Sequence, residues 1–384
     1  MRLIYMDHNA TTPMDPRVLE AMLPYMTEHF GNASSVSHPF GLAAADAVNR
    51  AREQVAAVLG CSAEEVIFTS GATESDNTAI KGVAWSAAKP GGHIITTRIE
   101  HRAVLESCRF LERQGFRITF VGTDAEGIVD PDDVKKAMTP DTILVSVMHA
   151  NSEIGTIQPV EAIGAIAREA GVAFHVDATQ TFGKIPVDVA ALGADLVAFS
   201  GHKIYGPKGV GGLYVRRRRR LIPLLSGGGQ EKGRRSGTYN TPGIVGFGRA
   251  CDLAREDMPA EAARLGDLQK RFLDAIRSRI ADVTLNGHAT RRLPNNVNLS
   301  FAYVEAEGLI AALRFVAVSS GSACASETRE PSYVMKALGA TDERALAAVR
   351  FGFGRITTAQ DVDEVVDRLV EAVARQRTMT HGVD

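Results

Sequence analysis

Short β-branched and apolar runs recur between residues 66 and 215, separated by stretches of helical length, and this alternation restricts the fold more than any other feature. Val66-Ile67-Phe68, His93-Ile94-Ile95, Ile118-Thr119-Phe120-Val121, Ile143 to Val147 and Val172 to Val176 are each too short to be helices. Between them lie segments with helical spacing, among them Ala103 to Gln114 and Val160 to Ala170, the second ended by Gly171 in the manner of a helix C-terminus. Strand and helix in alternation imply an α/β fold built on a mostly parallel, doubly wound sheet. At a prior of about 150 residues per domain, 384 residues should form two to three units. An N-terminal arm is expected at 1–15 and a large α/β domain at 16–243. After the glycine-rich SGGGQEKGRRSGTYNTPG, a long helical pattern from about Ile244 to Arg279 leads to strands near Val283 to Leu285 and Val297 to Phe301, then to a last helical pattern around Val365 to Arg377. Residues 244–384 therefore read as a smaller α+β domain.

Composition narrows the function classes. Hydrophobic residues at 45% and charged residues at 23% are ordinary globular usage. Lys plus Arg number 43 against 45 for Asp plus Glu, so no global field draws the chain to nucleic acid or an anionic membrane. The run Arg216 to Arg220 reads as a solvated strand end and turn, since a nucleic-acid surface wants a broader basic face with aromatics. No apolar run reaches the roughly 18 residues of a membrane span, and MRLIYMDHNATTP meets an acid too early for a secretory leader, so a cytoplasmic setting is expected. Cys61, Cys108, Cys251 and Cys324 form no CxxC pair, which disfavours a disulfide framework or structural zinc and leaves room for a working thiol.

Three segments carry chemistry. Thr69-Ser70-Gly71-Ala72-Thr73-Glu74-Ser75 follows a strand and opens a helix, where unpaired N–H groups and hydroxyls make a phosphate cradle, although an ordinary capped helix start would look the same. Asp177 ends an apolar strand at the sheet edge where open α/β folds bind ligands. Lys203 follows another apolar strand in Phe199-Ser200-Gly201-His202-Lys203. Together they form the set that a pyridoxal phosphate site requires: a lysine for the aldehyde, a carboxylate for the ring nitrogen, and a helix end for the phosphate.

On these residues the chain resembles the cysteine desulfurases of iron–sulfur cluster assembly, within the class V aminotransferase group of pyridoxal phosphate enzymes. The resemblance runs through MDHNATTP, FGNASSVSHPFG, FTSGATESDN, IEHRAV, VMHANSEIGTIQP, HVDATQ, FSGHKIYGPKG, GGGQEKGRRSGT and SSGSACASETREPSYV. It implies pyridoxal phosphate fold type I and a conversion of L-cysteine to L-alanine. The sulfur would pass to a persulfide on Cys324 and then to an acceptor or iron–sulfur scaffold protein. It assigns Lys203 as the cofactor lysine, Asp177 as partner of the ring nitrogen and Gln180 as partner of the ring oxygen. Phosphate ligands would be Ala72, Thr73, Ser200 and His202, with Thr238 supplied by the second subunit of a homodimer. His101 would stack on the ring and move protons, while Asn151 and Arg350 would hold the substrate carboxylate. Arg350 stands in Ala-Ala-Val-Arg-Phe-Gly-Phe-Gly, where relatives often carry serines before the arginine. Cys324 lies in a run of small polar residues, expected to be a mobile loop at about 319–330 that carries sulfur to and from the cofactor. No resident metal is expected, with Cys324 a candidate transient ligand of an iron–sulfur cluster. A selenocysteine lyase or a class V aminotransferase remains open as an alternative activity, and so, further off, does a non-catalytic sulfur-delivery or nucleic-acid-binding scaffold.

Overall fold

The structure, a computed structural model, describes residues 2–87, 91–320 and 330–381. The chain enters through a short strand, β1 (Ile4–Tyr5), and then supplies seven strands to one sheet: β2 (Val66–Thr69), β3 (His93–Thr97), β4 (Arg117–Val121), β5 (Thr142–Met148), β6 (Ala173–Asp177), β7 (Leu196–Ser200) and β8 (Gly211–Val215). Their spatial order is β2-β8-β7-β6-β5-β3-β4. β3 to β7 pair in parallel, and β8 runs antiparallel between β2 and β7. Every residue of β2, β3, β6, β7 and β8 is buried, which is why these strands read as continuous apolar runs rather than alternating ones. Beside β7, Phe182 stacks on Phe199 with ring centroids 4.5 Å apart, and each such buried ring stabilises the fold by about 1.5–3 kcal/mol. The arginine run after β8 turns back on itself: Arg216 and Arg219 reach Asp195 at 3.5 and 2.9 Å.

The helix Thr241–Arg279 joins two apolar cores. Asn240 caps it by accepting from the Gly243 N–H. Its first turns place Ile244, Phe247 and Cys251 in the core under the large sheet, and its last turns place Leu265, Phe272 and Ile276 in a second core. That second core lies on an antiparallel sheet of β9 (Val283–Leu285), β10 (Asn296–Phe301) and, beyond β11 (Val316–Ala317), β12 (Ala348–Gly352) in the order β12-β10-β9. Phe272 packs on Phe351 and Phe353 at centroid distances of 4.9 and 5.6 Å. β1 pairs with β11 and buries Ile4 and Met6 in this core, so the N-terminal arm is fastened to the C-terminal part of the chain. Among the described residues no helix is long and apolar enough to cross a membrane.

Candidate active site

Five loops that leave the carboxyl ends of β2, β3, β5, β6 and β7 meet the N-terminal arm and β12 around one cavity of about 550 Å³. This is the edge where open α/β sheets bind ligands. Its walls bring together Ala72, Thr73, His101, Asp177, Gln180, Ser200, His202, Lys203 and Arg350.

At the end of β2 the chain turns through Gly71, at φ 146°, into the helix Ala72–Ser86, which has no side-chain cap at its N-terminus. Ser75 Oγ accepts from or donates to Thr69 Oγ1 at 2.8 Å and donates to the Gly212 carbonyl at 2.9 Å, fixing the turn against β8. A side chain at Gly211 would place its Cβ 2.7 Å from Gly71 Cα, so only glycine lets β8 come this close. Glu74 accepts from the Ser70 N–H and from Arg235, which holds its carboxyl below the ordinary carboxylate range against the effect of burial. The Lys208 ammonium and the side chains of His202 and Lys203 line the same mouth. The helix end and these donors fit a phosphate group.

Lys203 follows β7 through the turn Gly201–Lys203, and its ammonium donates to the carbonyls of Asn9 and Ala10, each at 2.6 Å. Burial lowers its pKa to about 7, with Lys184 and Arg350 pushing the same way and Asp7 and Asp177 opposing. An amine near neutrality is the state an imine-forming lysine needs. Asp177 ends β6 and accepts from the Thr179 N–H at 2.9 Å. Gln180 donates to the Asn9 carbonyl at 3.0 Å and accepts from the Asn9 amide at 3.3 Å. His202 meets Thr11 Oγ1 at 3.0 Å, and burial lowers its pKa to about 4. His101 caps the helix Arg102–Glu112: the Ala103 N–H donates to its Nδ1 at 3.2 Å, which makes Nε2 the protonated nitrogen of the neutral ring. Burial lowers its pKa as well, which favours that neutral form.

Arg350, on β12 and 2% exposed, donates to Asp7 at 2.8 Å and to the Ser152 carbonyl at 3.0 Å, and its Nε has no partner. Its backbone pairs with Ser319. Two expected residues stand apart. Asn151 does not line the cavity: its side-chain amide donates to the Ile99 carbonyl and accepts from the N–H groups of Glu153 and Ile154, while its neighbour Ser152 reaches the cavity wall. Thr238 is exposed and lines a separate pocket of about 80 Å³ behind Ser70 and Gly209. Cys324 lies outside the described residues. The other three cysteines are free thiols, and burial pushes Cys61 and Cys108 up to about 12 and raises Cys251 well above the ordinary thiol range, so none is poised as a thiolate. Among the described residues no group of three or more His, Cys, Asp and Glu could hold a metal ion.

The sequence reading assigned nothing to Asp7, Asn9 and Ala10, which grip Arg350, Gln180 and Lys203, although all three sit in MDHNATTP. Nor did it find the buried layer beneath Asp177. There His175 meets Ser146 at 2.9 Å and Asp76 at 3.5 Å, and Glu100 accepts from the Met148 N–H and the Thr97 hydroxyl.

The class V aminotransferase model matches residues 4–365 of this chain. The chain belongs to that family. A cysteine desulfurase IscS of Anaeromyxobacter dehalogenans (strain 2CP-C) is 54% identical over 379 residues, covering 98% of this chain and 94% of the relative. One from Rickettsia rickettsii (strain Iowa) is 52% identical over 98% of this chain and 92% of its own. Among solved structures, a NifS-like protein superposes with TM-score 0.91 at 38% identity, covering 97% of this chain and all of that one. These relatives give this class V member pyridoxal phosphate fold type I, pyridoxal 5'-phosphate as cofactor and cysteine desulfurase activity.

Proposed function

We propose that this desulfurase takes L-cysteine into the cavity beside Lys203, moves its sulfur to Cys324 and passes it from there to an acceptor protein for iron–sulfur cluster or thio-cofactor assembly. The observation that carries the reading is the buried Lys203 amine, near neutrality, in one cavity with Asp177, His101, Arg350 and an uncapped helix N-terminus. A solved structure titled "SspA in complex with cysteine", 38% identical with TM-score 0.83 over 91% of this chain and 98% of that one, supports cysteine as the substrate.

When bound, pyridoxal phosphate supplies an aldehyde that Lys203 and the substrate amine exchange, and a ring that takes up the electrons of the Cα–H bond. Asp177 would keep the ring nitrogen protonated, Gln180 would hydrogen-bond the ring oxygen, and Ala72, Thr73, Ser200 and His202 would hold the phosphate. Lys203, as a neutral amine, would take the Cα proton, and His101 would stack on the ring and move protons. Arg350 offers its guanidinium to the substrate carboxylate once the Asp7 contact yields. Asn151 supports this end through the turn that presents Ser152. The Cys324 thiolate attacks the substrate sulfur as the carbon–sulfur bond breaks, leaving the persulfide on Cys324 and alanine after protonation. Ser319, whose backbone pairs with Arg350, stands five residues before Cys324, and five extended residues span at most about 18 Å, the reach this transfer relies on. Cys324 could also serve transiently as a cluster ligand during delivery.

The working form is read as a homodimer in the cytoplasm. Leu19, Leu23 and Met26 on the helix Pro16–Thr27, with Phe30, Val36, Phe40 and Leu42 after it, are between 45% and 73% exposed, and Phe30 stacks on Phe40 at 5.6 Å, which supports a partner surface here. Thr238, exposed in its own chain, would reach the partner's phosphate site. Thiol-to-thiol sulfur transfer suits a reducing compartment.

Incubation of the cofactor-loaded protein with L-cysteine and a reductant should yield alanine and sulfide in equal amounts. Lys203→Ala should lose turnover by at least about 100-fold, since the amine acts as both imine former and base. Wild-type turnover in that variant with pyridoxal phosphate added would refute the assignment.

A further inference from the structure

A second, smaller cavity lies where the N-terminal arm, the loop after β6, the helix Thr241–Arg279 and the segments flanking β10 and β12 meet. Its walls include His8, Lys184, Tyr205, Glu261, Asn295 and Arg355. Three buried polar atoms of these walls lack a hydrogen-bond partner: His8 Nε2, Lys184 Nζ and Asn295 Oδ1. His8 and Asn295 are 1% and 2% exposed. Folded proteins rarely leave such groups unpaired, and three on one cavity point to a shared occupant.

The chemistry of the three atoms identifies it. His8 Nδ1 lies 2.9 Å from the Gly352 carbonyl, which only accepts, so Nδ1 carries the proton and Nε2 presents a lone pair. The ring packs directly against Gly354, where a Cβ would lie 2.1 Å from His8 Cδ2. Lys184 offers a donor and Asn295 Oδ1 an acceptor. The occupant must therefore accept once and donate twice, as a single water does. An anion would face two acceptors and the Glu261 carboxylate, which is itself held by Tyr205 at 3.0 Å and by Arg355. A metal cation would face the ammonium. The cavity measures about 20 Å³ to a water-sized sphere, and roughly 10–15 Å³ suffices for one water.

We propose that this cavity holds one structural water and that Lys184, acting through it and through its charge, is a positioning residue for Lys203. His8 directly precedes Asn9 and Ala10, whose carbonyls accept from the Lys203 ammonium. A water bonded to His8, Lys184 and Asn295 ties those carbonyls to the chain just after β12, since the Asn295 carbonyl accepts from the Phe353 N–H at 2.9 Å. The charged groups facing Lys203 are Lys184 and Arg350, which disfavour its protonation, and Asp7 and Asp177, which favour it, with His202 alongside. Those facing Lys184 are Glu261, Arg350 and His8. The proposal rests on Lys203 being the cofactor lysine.

The test combines a high-resolution crystal structure of the cofactor-loaded protein with pH profiles of kcat and kcat/KM for the wild type, Lys184→Met and Lys184→Gln. The wild type should show one water peak within hydrogen-bond distance of all three atoms. Both variants remove a positive charge near Lys203, so the acid limb of kcat should move up by about one pH unit, about a fivefold loss at pH 7, with KM for cysteine little changed. A purely structural role would lower activity without moving the limb. A dry cavity in the wild type, or variant profiles superimposable on the wild type, would overturn the proposal. If Lys184→Met fails to fold, the Gln profile and the wild-type density still decide. The density is read independently of the chemistry, and Lys203→Ala tests that separately, so the two failures are distinguishable.

Discussion

Lys203 and Glu100 show how burial sets the protonation of single groups here, in opposite senses. Removal from water favours the neutral form of each, lowering the amine to about 7 and raising the carboxyl to about 8. For Glu100 the consequence is a pH-dependent stability. The native state retains a proton that the unfolded chain releases above about 4.5, so the stabilisation is complete at or below that pH and is lost as pH rises toward 8. Glu100→Gln keeps an oxygen for the Met148 N–H and the Thr97 hydroxyl without the charge. Its melting temperature should match the wild type near pH 5 and exceed it at pH 8.5, a difference on the order of a few kcal/mol at most. Parallel melting curves across that range would contradict the burial argument. At this scale the sequence shows Asp177 and Lys203 because each closes a recognisable apolar strand. It hides Glu100, Asp76 and His175 because a buried acid or imidazole looks like a solvated one until the packing over it is known.

Among the elements, the strands of the large sheet are legible because burial on both faces writes them as unbroken apolar runs with turn residues between them. The last helix is less so. It spans Ala359–His381, beginning ahead of the Val365 to Arg377 pattern, because Thr358 and Asp361 bond each other's backbone N–H groups and start it before its apolar face begins. The N-terminal arm carries no periodic signal: β1 is two residues long, and the carbonyls of Asn9 and Ala10 do their work through the backbone. The helix Thr241–Arg279 reads correctly as one long element, but its apolar spacing does not say that it begins in one core and ends in another.

Over the whole molecule, the N-terminal arm, the loops at the strand ends and β12 enclose the cavity around Lys203, and the proposed homodimer rests on the exposed apolar side chains around Leu23 and Phe40 and the exposed Thr238. Light scattering should give twice the mass of the chain, and Leu23→Asp combined with Phe40→Asp should give monomers that retain pyridoxal phosphate less well. A fully active, cofactor-loaded monomer of the wild type would remove the role given to Thr238. Whether an apolar helix face meets a partner is not legible in one sequence, since it has the same pattern as one facing a core. Transfer of sulfur from cysteine onto Cys324 can be read by mass spectrometry of peptides from the protein after brief exposure to L-cysteine. One added sulfur is predicted on the peptide containing Cys324, absent in Lys203→Ala; added sulfur on the peptides of Cys61, Cys108 or Cys251 instead, or none on Cys324 while alanine accumulates, would contradict the account.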